Sequence, residues 1–221
     1  MNIVITGANR GLGLEFVQQY LAAGDEVWAC HRADLGDLSA IDNLLLHTVR
    51  WDVTQPLSSE TAAQLPDRID ILINNAGIYG SDQQLNRISA DTMHQVFDVD
   101  CVAPIKVVQS LLQRVAKVQG RIANLSSKMG SSADNSSGGC YAYRAAKAAL
   151  VICSKSMAID LQPQGVQVIT LHPGWVMTDM TSHSGLIDTQ TSVAGMRKVI
   201  NSIGDYELGA FVAFDGQQIP F

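Results

Sequence analysis

The chain is poor in charged residues, in aromatic side chains and in cysteine. Charged residues make up 16% of its 221 positions and aromatic residues 6%, and acidic side chains outnumber basic ones to give a net charge of −6. This balance excludes a broad nucleic-acid-binding surface, which needs clustered lysine and arginine. The 47% hydrophobic content excludes a disordered chain, because such chains cannot bury enough apolar surface to fold. We therefore expect one globular domain over residues 1–221.

The four cysteines, Cys30, Cys101, Cys140 and Cys153, have neither Cys-x-x-Cys spacing nor a metal-ligand pattern. We expect reduced thiols, buried as small apolar side chains, and no metal site. No run approaches the ~20 apolar residues that a membrane span needs. The chain opens with a β-rich segment and shows no secretory signal, so the sequence predicts a soluble, cytoplasmic protein.

Short apolar runs alternate with longer helical patterns along most of the chain. Nearly continuous apolar runs are typical of parallel strands that are covered on both faces. The alternation predicts an α/β fold, with a single Rossmann-type doubly wound parallel sheet of about seven strands and helices on both faces. The predicted strands are Ile3–Thr6, Val27–Cys30, Thr48–Trp51, Ile69–Asn74, Arg121–Ser126, Gln167–Leu171 and Phe211–Phe214. The predicted helices are Leu12–Ala23, Ser39–Leu46, Ser89–Gln119, Tyr143–Gln162 and Val193–Ile203.

A glycine-rich turn, Thr-Gly-Ala-Asn-Arg-Gly-Leu-Gly over residues 6–13, follows the first predicted strand and leads into a helix. Glycines let backbone N–H groups approach a pyrophosphate closely, and the helix N-terminus presents its positive dipole end to the anion. The alternative is a purely structural turn, because a glycine triplet alone is a weak motif. The residues predicted to bind a dinucleotide here are Gly7, Asn9, Arg10, Gly11, Leu12 and Gly13.

Tyr143 and Lys147 are four positions apart, which places them on one side of a helix, one turn from each other. An ammonium beside a phenol favours the phenolate, so we expect the pKa of Tyr143 to fall below its usual value of about 10. The phenol would then exchange protons near neutral pH. Most such pairs are ordinary helix surface. The glycine turn and the Asn-Leu-Ser-Ser segment over residues 124–127 favour a catalytic role here.

Four motifs in order resemble those of the short-chain dehydrogenase/reductase family. They are Gly-x-x-x-Gly-x-Gly over residues 7–13, Asn-Asn-Ala-Gly over 74–77, Tyr143-x-x-x-Lys147 and Pro173-Gly174. The resemblance covers essentially the whole chain and is greatest to the small carbonyl-reductase and C-factor-like branch. It implies an NADPH-dependent oxidoreductase that reduces an aldehyde or ketone. Tyr143 would donate the proton, Ser127 would orient the carbonyl oxygen, and Lys147 would hold the nicotinamide ribose.

Two positions of this catalytic group need comment. Ser126 is an alternative to Ser127, but adjacent strand residues point to opposite faces, and the family position favours Ser127. The family commonly has asparagine where this chain has Asp100, and that asparagine supports a helix kink and a proton relay to the lysine. Asp100 can accept hydrogen bonds but lacks an amide donor. If ionised, it would offset part of the effect of Lys147 on Tyr143.

The end of the second predicted strand favours NADP(H) over NAD(H). An NAD site places an acid there, whereas this chain has His31 and Arg32. A guanidinium binds a 2′-phosphate in bidentate fashion, and Arg10 adds a second cation. Asp34 is the competing acid, and we assign it to the next loop. The resemblance also implies cofactor contacts from Asp52 (for which turn capping is an open alternative), Val53, Asn75, Ala76, Gly77, Tyr143, Lys147, Pro173, Gly174, Val176 and Thr178.

The substrate pocket is predicted from Ser127–Tyr141, Tyr79–Leu85 and the loop Thr178–Thr191. This loop is short for the family, which either leaves the site open or suits a small or flat carbonyl. The apolar helical segments Cys101–Gln119 and Tyr143–Gln162 suggest a homodimer or homotetramer, unless all their apolar positions face the sheet. Two other functions stay open, namely alcohol oxidation on the same residues and a cofactor-binding regulatory or signalling protein with little turnover. We expect His172, which precedes a proline, to be structural.

Overall fold

The computed structural model describes residues 1–221 and is built around one parallel sheet. Its strands are β1 (Asn2–Thr6), β2 (Glu26–His31), β3 (Leu46–Arg50), β4 (Ile71–Asn74), β5 (Arg121–Leu125), β6 (Gln167–His172) and β7 (Phe211–Ala213). They lie in the order β3-β2-β1-β4-β5-β6-β7, and every neighbouring pair is parallel. The winding reverses between β1 and β4, which confirms the predicted doubly wound fold and all seven predicted strands.

The α-helices are α1 (Gly11–Ala22), α2 (Ser59–Gln64), α3 (Ala90–Phe97), α4 (Ala103–Ala116), α5 (Tyr141–Leu161) and α6 (Thr189–Asn201). The predicted helix Ser39–Leu46 is wrong. That region holds a 3-10 turn, Gly36–Ala40, and the Asn43 side chain then accepts the Leu45 N–H at 2.9 Å, a local bond that competes with helix formation. Helix α2 was not predicted, because it is six residues long and buries none of them, so it has no apolar periodicity.

The predicted helix Ser89–Gln119 is interrupted between α3 and α4 by a π-turn, Asp98–Val102. Pro104 follows it in the first turn of α4. Because proline has no N–H, the carbonyl of Asp100 lacks the donor that a regular α-helix would supply four residues later. The kink that the family resemblance implies is therefore present, and it lies next to Asp100.

Two layers of apolar side chains enclose the sheet. Helices α1 and α6 cover one face through Phe16, Tyr20, Met196 and Ile200. Helices α4 and α5 cover the other face, where Leu111 is among the buried residues. This packing leaves the carboxyl ends of the strands at one edge, on both sides of the reversal point, where open α/β sheets bind ligands. None of the helices has both the length and the apolar character needed to cross a membrane.

Candidate active site

The glycine turn after β1 packs directly against the segment that follows β4. Gly7 has φ +62°, and a Cβ there would lie 2.8 Å from the Ala76 Cα. A Cβ on Gly13 would collide with the Gly7 carbonyl and lie 2.6 Å from Asn75 Nδ2. The Asn75 amide donates to the carbonyls of Thr6 and Gly7, both at 2.9 Å. These contacts require glycine at both positions and fix the shape of the turn.

The residues of this turn fit the pyrophosphate of a dinucleotide. Helix α1 starts at Gly11, and no side chain caps its N-terminus, where Arg10 is extended. The first N–H groups of the helix therefore lack a side-chain acceptor, and the positive end of the helix dipole adds to their affinity for an anion. Thr178 lies over the turn, since a Cβ on Gly11 would be 3.7 Å from its Cγ2 atom.

Ser127, Tyr143 and Lys147 meet just beyond the carboxyl end of β5, and all three are buried. The Ser127 side chain lies close enough to the Tyr143 hydroxyl to favour its ionised form, which lowers the pKa of Tyr143. The Lys147 Nζ lies 5.6 Å from the centre of the Tyr143 ring. Ser126, the alternative serine, instead donates to the Lys147 carbonyl at 2.9 Å. Ser126 thus anchors α5 to β5, and Ser127 is the serine that faces the phenol.

A buried ion pair holds the lysine in place. The Lys147 Nζ lies 3.1 Å from Asp100 Oδ2 and donates to the Leu125 carbonyl at 3.0 Å. The other oxygen of Asp100 accepts the Ile78 N–H at 2.8 Å. Gly77 borders the pair, because a Cβ there would lie 3.4 Å from the Lys147 Nζ. The ion pair therefore joins the π-turn, the segment after β4 and helix α5 at one point.

The loop that begins at Arg32, after β2, lies next to the glycine turn. Arg32 is exposed directly after β2, and the following loop is tied to the turn by a 3.2 Å hydrogen bond from Asn9 Nδ2 to the Asp34 carbonyl. Asp34 is in that loop, as expected. Arg10, on the other side of the turn, has Asp179 as its nearest acid, 3.8 Å away. His31 is buried, and burial lowers its pKa, so it contributes a neutral ring and no charge.

The remaining predicted cofactor contacts lie along the same edge of the sheet. Asp52 caps the turn after β3, with Oδ1 accepting the Thr54 N–H at 3.0 Å and the Thr54 hydroxyl proton at 2.8 Å. Val53 belongs to the apolar layer under α4 and α5. After β6 the chain turns at Gly174, with φ +88°, and Val176 is buried. Asp52 therefore has the turn-capping role that the sequence left open, and one of its oxygens stays free of that turn.

Comparison with known proteins decides the family. The model of the short chain dehydrogenase family matches residues 1–186. The chain belongs to this family. It is 37% identical over 154 residues to the C-signal protein of Myxococcus xanthus, covering 69% of this chain and 93% of that protein. It is 30% identical over 226 residues to 1-hydroxy-2-glutathionyl-2-methyl-3-butene dehydrogenase of Rhodococcus sp. strain AD45, covering 97% and 96%.

Among solved structures, the chain is similar to NADPH-bound carbonyl reductase from chicken fatty liver. The TM-score is 0.90 and the sequence identity 30%, and the match covers 100% of this chain and 98% of that one. These similarities confirm the predicted short-chain dehydrogenase family and an oxidoreductase of the Rossmann type.

The expected direction of the Tyr143 pKa shift in this dehydrogenase is wrong. Burial raises the pKa of Tyr143, Lys147 opposes that effect, and Asp100 adds to it. Burial would lower the pKa of Lys147, but the charges of Asp100 and Tyr143 outweigh burial and raise it. The lysine is thus a fixed ammonium whose charge is largely balanced by its partner. Tyr143 is therefore a neutral phenol near pH 7, which is the proton-donating form.

Two positioning contacts of the dehydrogenase escaped the sequence analysis. Gln83 Oε1 accepts the Tyr143 N–H at 3.1 Å and so caps the first turn of α5. The residue before the helix, Cys140, has a left-handed backbone conformation, and its side chain does not cap the helix. Gln83 is 60 residues from Tyr143 in sequence, so no local pattern indicates the contact. The Tyr79 ring lies 5.1 Å from the Tyr143 ring, which places one of the three predicted pocket segments, Tyr79–Leu85, against the phenol.

Proposed function

We propose that this dehydrogenase reduces aldehydes or ketones with NADPH. The observation that carries the proposal is the meeting of the Tyr143 hydroxyl, the Ser127 hydroxyl and the Lys147 ammonium at the edge of the sheet that bears the glycine turn. A bound nicotinamide would supply the hydride. Ser127 orients the substrate oxygen, Tyr143 gives it a proton, and Lys147 stabilises the phenolate that is left.

The N–H groups of Gly11, Leu12 and Gly13 would hold the pyrophosphate, and Arg32 would bind the 2′-phosphate. The Lys147 ammonium donates to the Leu125 carbonyl and pairs with the Asp100 carboxylate, which leaves an ammonium proton for a ribose hydroxyl. The NADPH bound by the carbonyl reductase of similar structure supports the same cofactor here.

The mouth of the site favours an apolar substrate. Tyr79 lies against Tyr143, and its hydroxyl is 2.7 Å from the Cys140 Sγ. In the segment after β6, the apolar side chains of Trp175 and Leu186 are both exposed, and the Leu186 N–H donates to the Trp175 carbonyl. Such a surface suits a small or flat carbonyl compound without charge.

The sheet runs from Asn2 to Ala213, which supports a single domain over residues 1–221.

The Tyr143→Phe substitution tests this proposal against a panel of aldehydes and ketones, with NADPH consumption as the readout. We expect a loss of turnover of about 10²- to 10⁴-fold, the usual contribution of a general acid, with NADPH binding retained. Tyr206→Phe makes the same chemical change directly after the 3-10 turn Ile203–Asp205, before β7, and should leave the rate unchanged. A protein that acts only by binding its cofactor would keep its function in Tyr143→Phe, and wild-type turnover in that variant would refute the proposal.

A further inference from the structure

Asp100 is a carboxylate in a position where its charge reaches the catalytic phenol. It is fully buried, on the π-turn that faces helix α5. Both of its oxygens meet donors only, the Ile78 N–H at 2.8 Å and the Lys147 ammonium at 3.1 Å. Oδ2 has no well-aligned hydrogen bond, so its contact with the ammonium is mainly electrostatic. Burial raises the pKa of Asp100, whereas Lys147 and the Ile78 N–H lower it. With donors on both oxygens, one of them an ammonium, we take the carboxylate as ionised, because a protonated acid would place an O–H against an N–H.

The ion pair with Asp100 weakens the effect of Lys147 on the pKa of Tyr143. An isolated ammonium close to a phenol stabilises the phenolate, whereas a neutral pair of opposite charges stabilises it much less. The low polarity around these buried groups makes the difference larger than it would be in water. Burial and Asp100 together raise the pKa of Tyr143 against the effect of Lys147.

We propose that Asp100 is a positioning residue that keeps the Tyr143 hydroxyl protonated at neutral pH, the state that reduces a carbonyl, and confines alcohol oxidation to alkaline pH. The inference rests on the proposed function. In reduction, the substrate carbon takes the hydride that a bound nicotinamide would supply, the Tyr143 proton goes to the substrate oxygen, and the phenolate that is left is reprotonated from solvent. In oxidation, the phenolate takes the alcohol proton, and the hydride would return to the oxidised nicotinamide. The charge of Asp100 therefore sets the pH at which one direction gives way to the other.

Several other polar and titratable groups lie near Tyr143, and burial raises the pKa of two of them. Burial raises the pKa of Cys101, on the π-turn, to about 12, with the neighbouring Cys153 adding to the shift. Burial also raises the pKa of Tyr79, on the segment after β4, to about 12. At the start of α5, the Arg144 guanidinium donates to the Met129 carbonyl at 3.0 Å and to the Ser137 hydroxyl at 2.8 Å. Cys140 is the remaining thiol near Tyr143, and its Sγ contacts the Tyr79 hydroxyl. Every protein in the test below therefore carries the Cys140→Ser substitution, which removes this thiol.

The test replaces Asp100 by asparagine, which has the same shape and no charge. In cofactor-free protein, ultraviolet difference titration against the matching Tyr143→Phe variant isolates the ionisation of Tyr143 from that of the other tyrosines. We expect Tyr143 to ionise about 1 pH unit lower in Asp100→Asn than in the wild type. The control Asp98→Asn removes the same charge from the same π-turn, at a residue that does not pair with Lys147, and should leave the titration unchanged.

The pH dependence of the reaction rates provides a second, independent test. In Asp100→Asn the alkaline limb of carbonyl reduction and the rising limb of alcohol oxidation should both move to lower pH by about the same amount. Asp100→Ser, which is also uncharged, replaces the asparagine variant if circular dichroism shows that the latter is unfolded. An unchanged Tyr143 titration together with unchanged pH profiles overturns the inference. Failure of the wild type to reduce any carbonyl overturns the proposed function instead, and the titration then decides the role of Asp100 alone.

Discussion

Single charged residues around the cofactor cleft should decide which nicotinamide cofactor binds. Arg32 stands exposed after β2, and its loop is held against the glycine turn by the bond from Asn9 to the Asp34 carbonyl. We expect Arg32→Asp to weaken NADPH binding roughly tenfold to a hundredfold, because a charge-assisted contact is lost and a repulsive charge is added. NADH binding should change little, since that cofactor has no 2′-phosphate.

Equilibrium titration of both cofactors by fluorescence checks this prediction. Arg68→Asp is the matched control, because Arg68 is an exposed arginine just before β4, at the opposite end of the strand from the glycine turn. Equal NADPH affinity in the wild type and in Arg32→Asp would exclude Arg32 as the residue that binds the 2′-phosphate.

The sequence predicted which of the proposed catalytic side chains meet, but not the direction of the resulting pKa shift. Spacing on one helix brings Tyr143 and Lys147 together, and the strand end before them supplies Ser127. The pKa of Tyr143 depends on how deeply its hydroxyl is buried and on the charge of Asp100, which reaches the site from another element. Neither quantity is a local property of the sequence, so the expected downward shift was wrong.

At the level of elements, the strands were predicted well because most are short apolar runs that are buried on both faces, although β3, at the sheet edge, buries only Val49. The helices were predicted well only where apolar periodicity is long, as in α1 and α5. Ser39–Leu46 failed because local side-chain bonds favour turns there, and α2 was missed because it packs no side chain into the core. The π-turn was implied only by the family resemblance, through the segment that contains Asp100.

His172 links two of these elements. It ends β6, and its Nδ1 accepts the Lys128 N–H at 3.1 Å, in the turn that directly follows Ser127. Burial lowers the pKa of His172 from 6.5 to about 4, and the nearby Lys128 adds to the effect. Between pH 6.5 and 4 the unfolded chain takes up a proton that the folded His172 does not, so this residue makes the protein less stable as the pH falls through that window.

We expect His172→Asn to keep the contact, because its Oδ1 can replace Nδ1 as acceptor, and to remove this part of the pH dependence. His172→Leu leaves the Lys128 N–H without an acceptor and should cost about 1–3 kcal/mol at pH 7. Urea unfolding at pH 7 and at pH 4.5 measures both effects. If His172→Asn loses as much stability between the two pH values as the wild type does, the histidine is not the source of the change.

At the scale of the whole molecule, helix α5 has two isoleucine side chains that the rest of the chain leaves exposed. Ile152 is 55% exposed and Ile159 is 53% exposed, and they lie seven positions apart on one side of the helix. The alternative that all apolar positions of this helix face the sheet is therefore wrong. A two-fold axis beside α5 would bring this stripe against its own copy and bury two isoleucines from each subunit.

We therefore expect the wild type to be a homodimer or homotetramer and the double variant Ile152→Lys, Ile159→Lys to be monomeric. Burying an isoleucine is worth about 1.5–3 kcal/mol, and a lysine in its place would meet a like charge across the axis. Light scattering after size-exclusion chromatography measures the mass directly. Leu44→Lys changes a residue that is 96% exposed in the loop before β3 and should leave the mass unchanged. A wild type that stays monomeric at high concentration, or a double variant with the wild-type mass, would show that subunits do not associate through this face of α5.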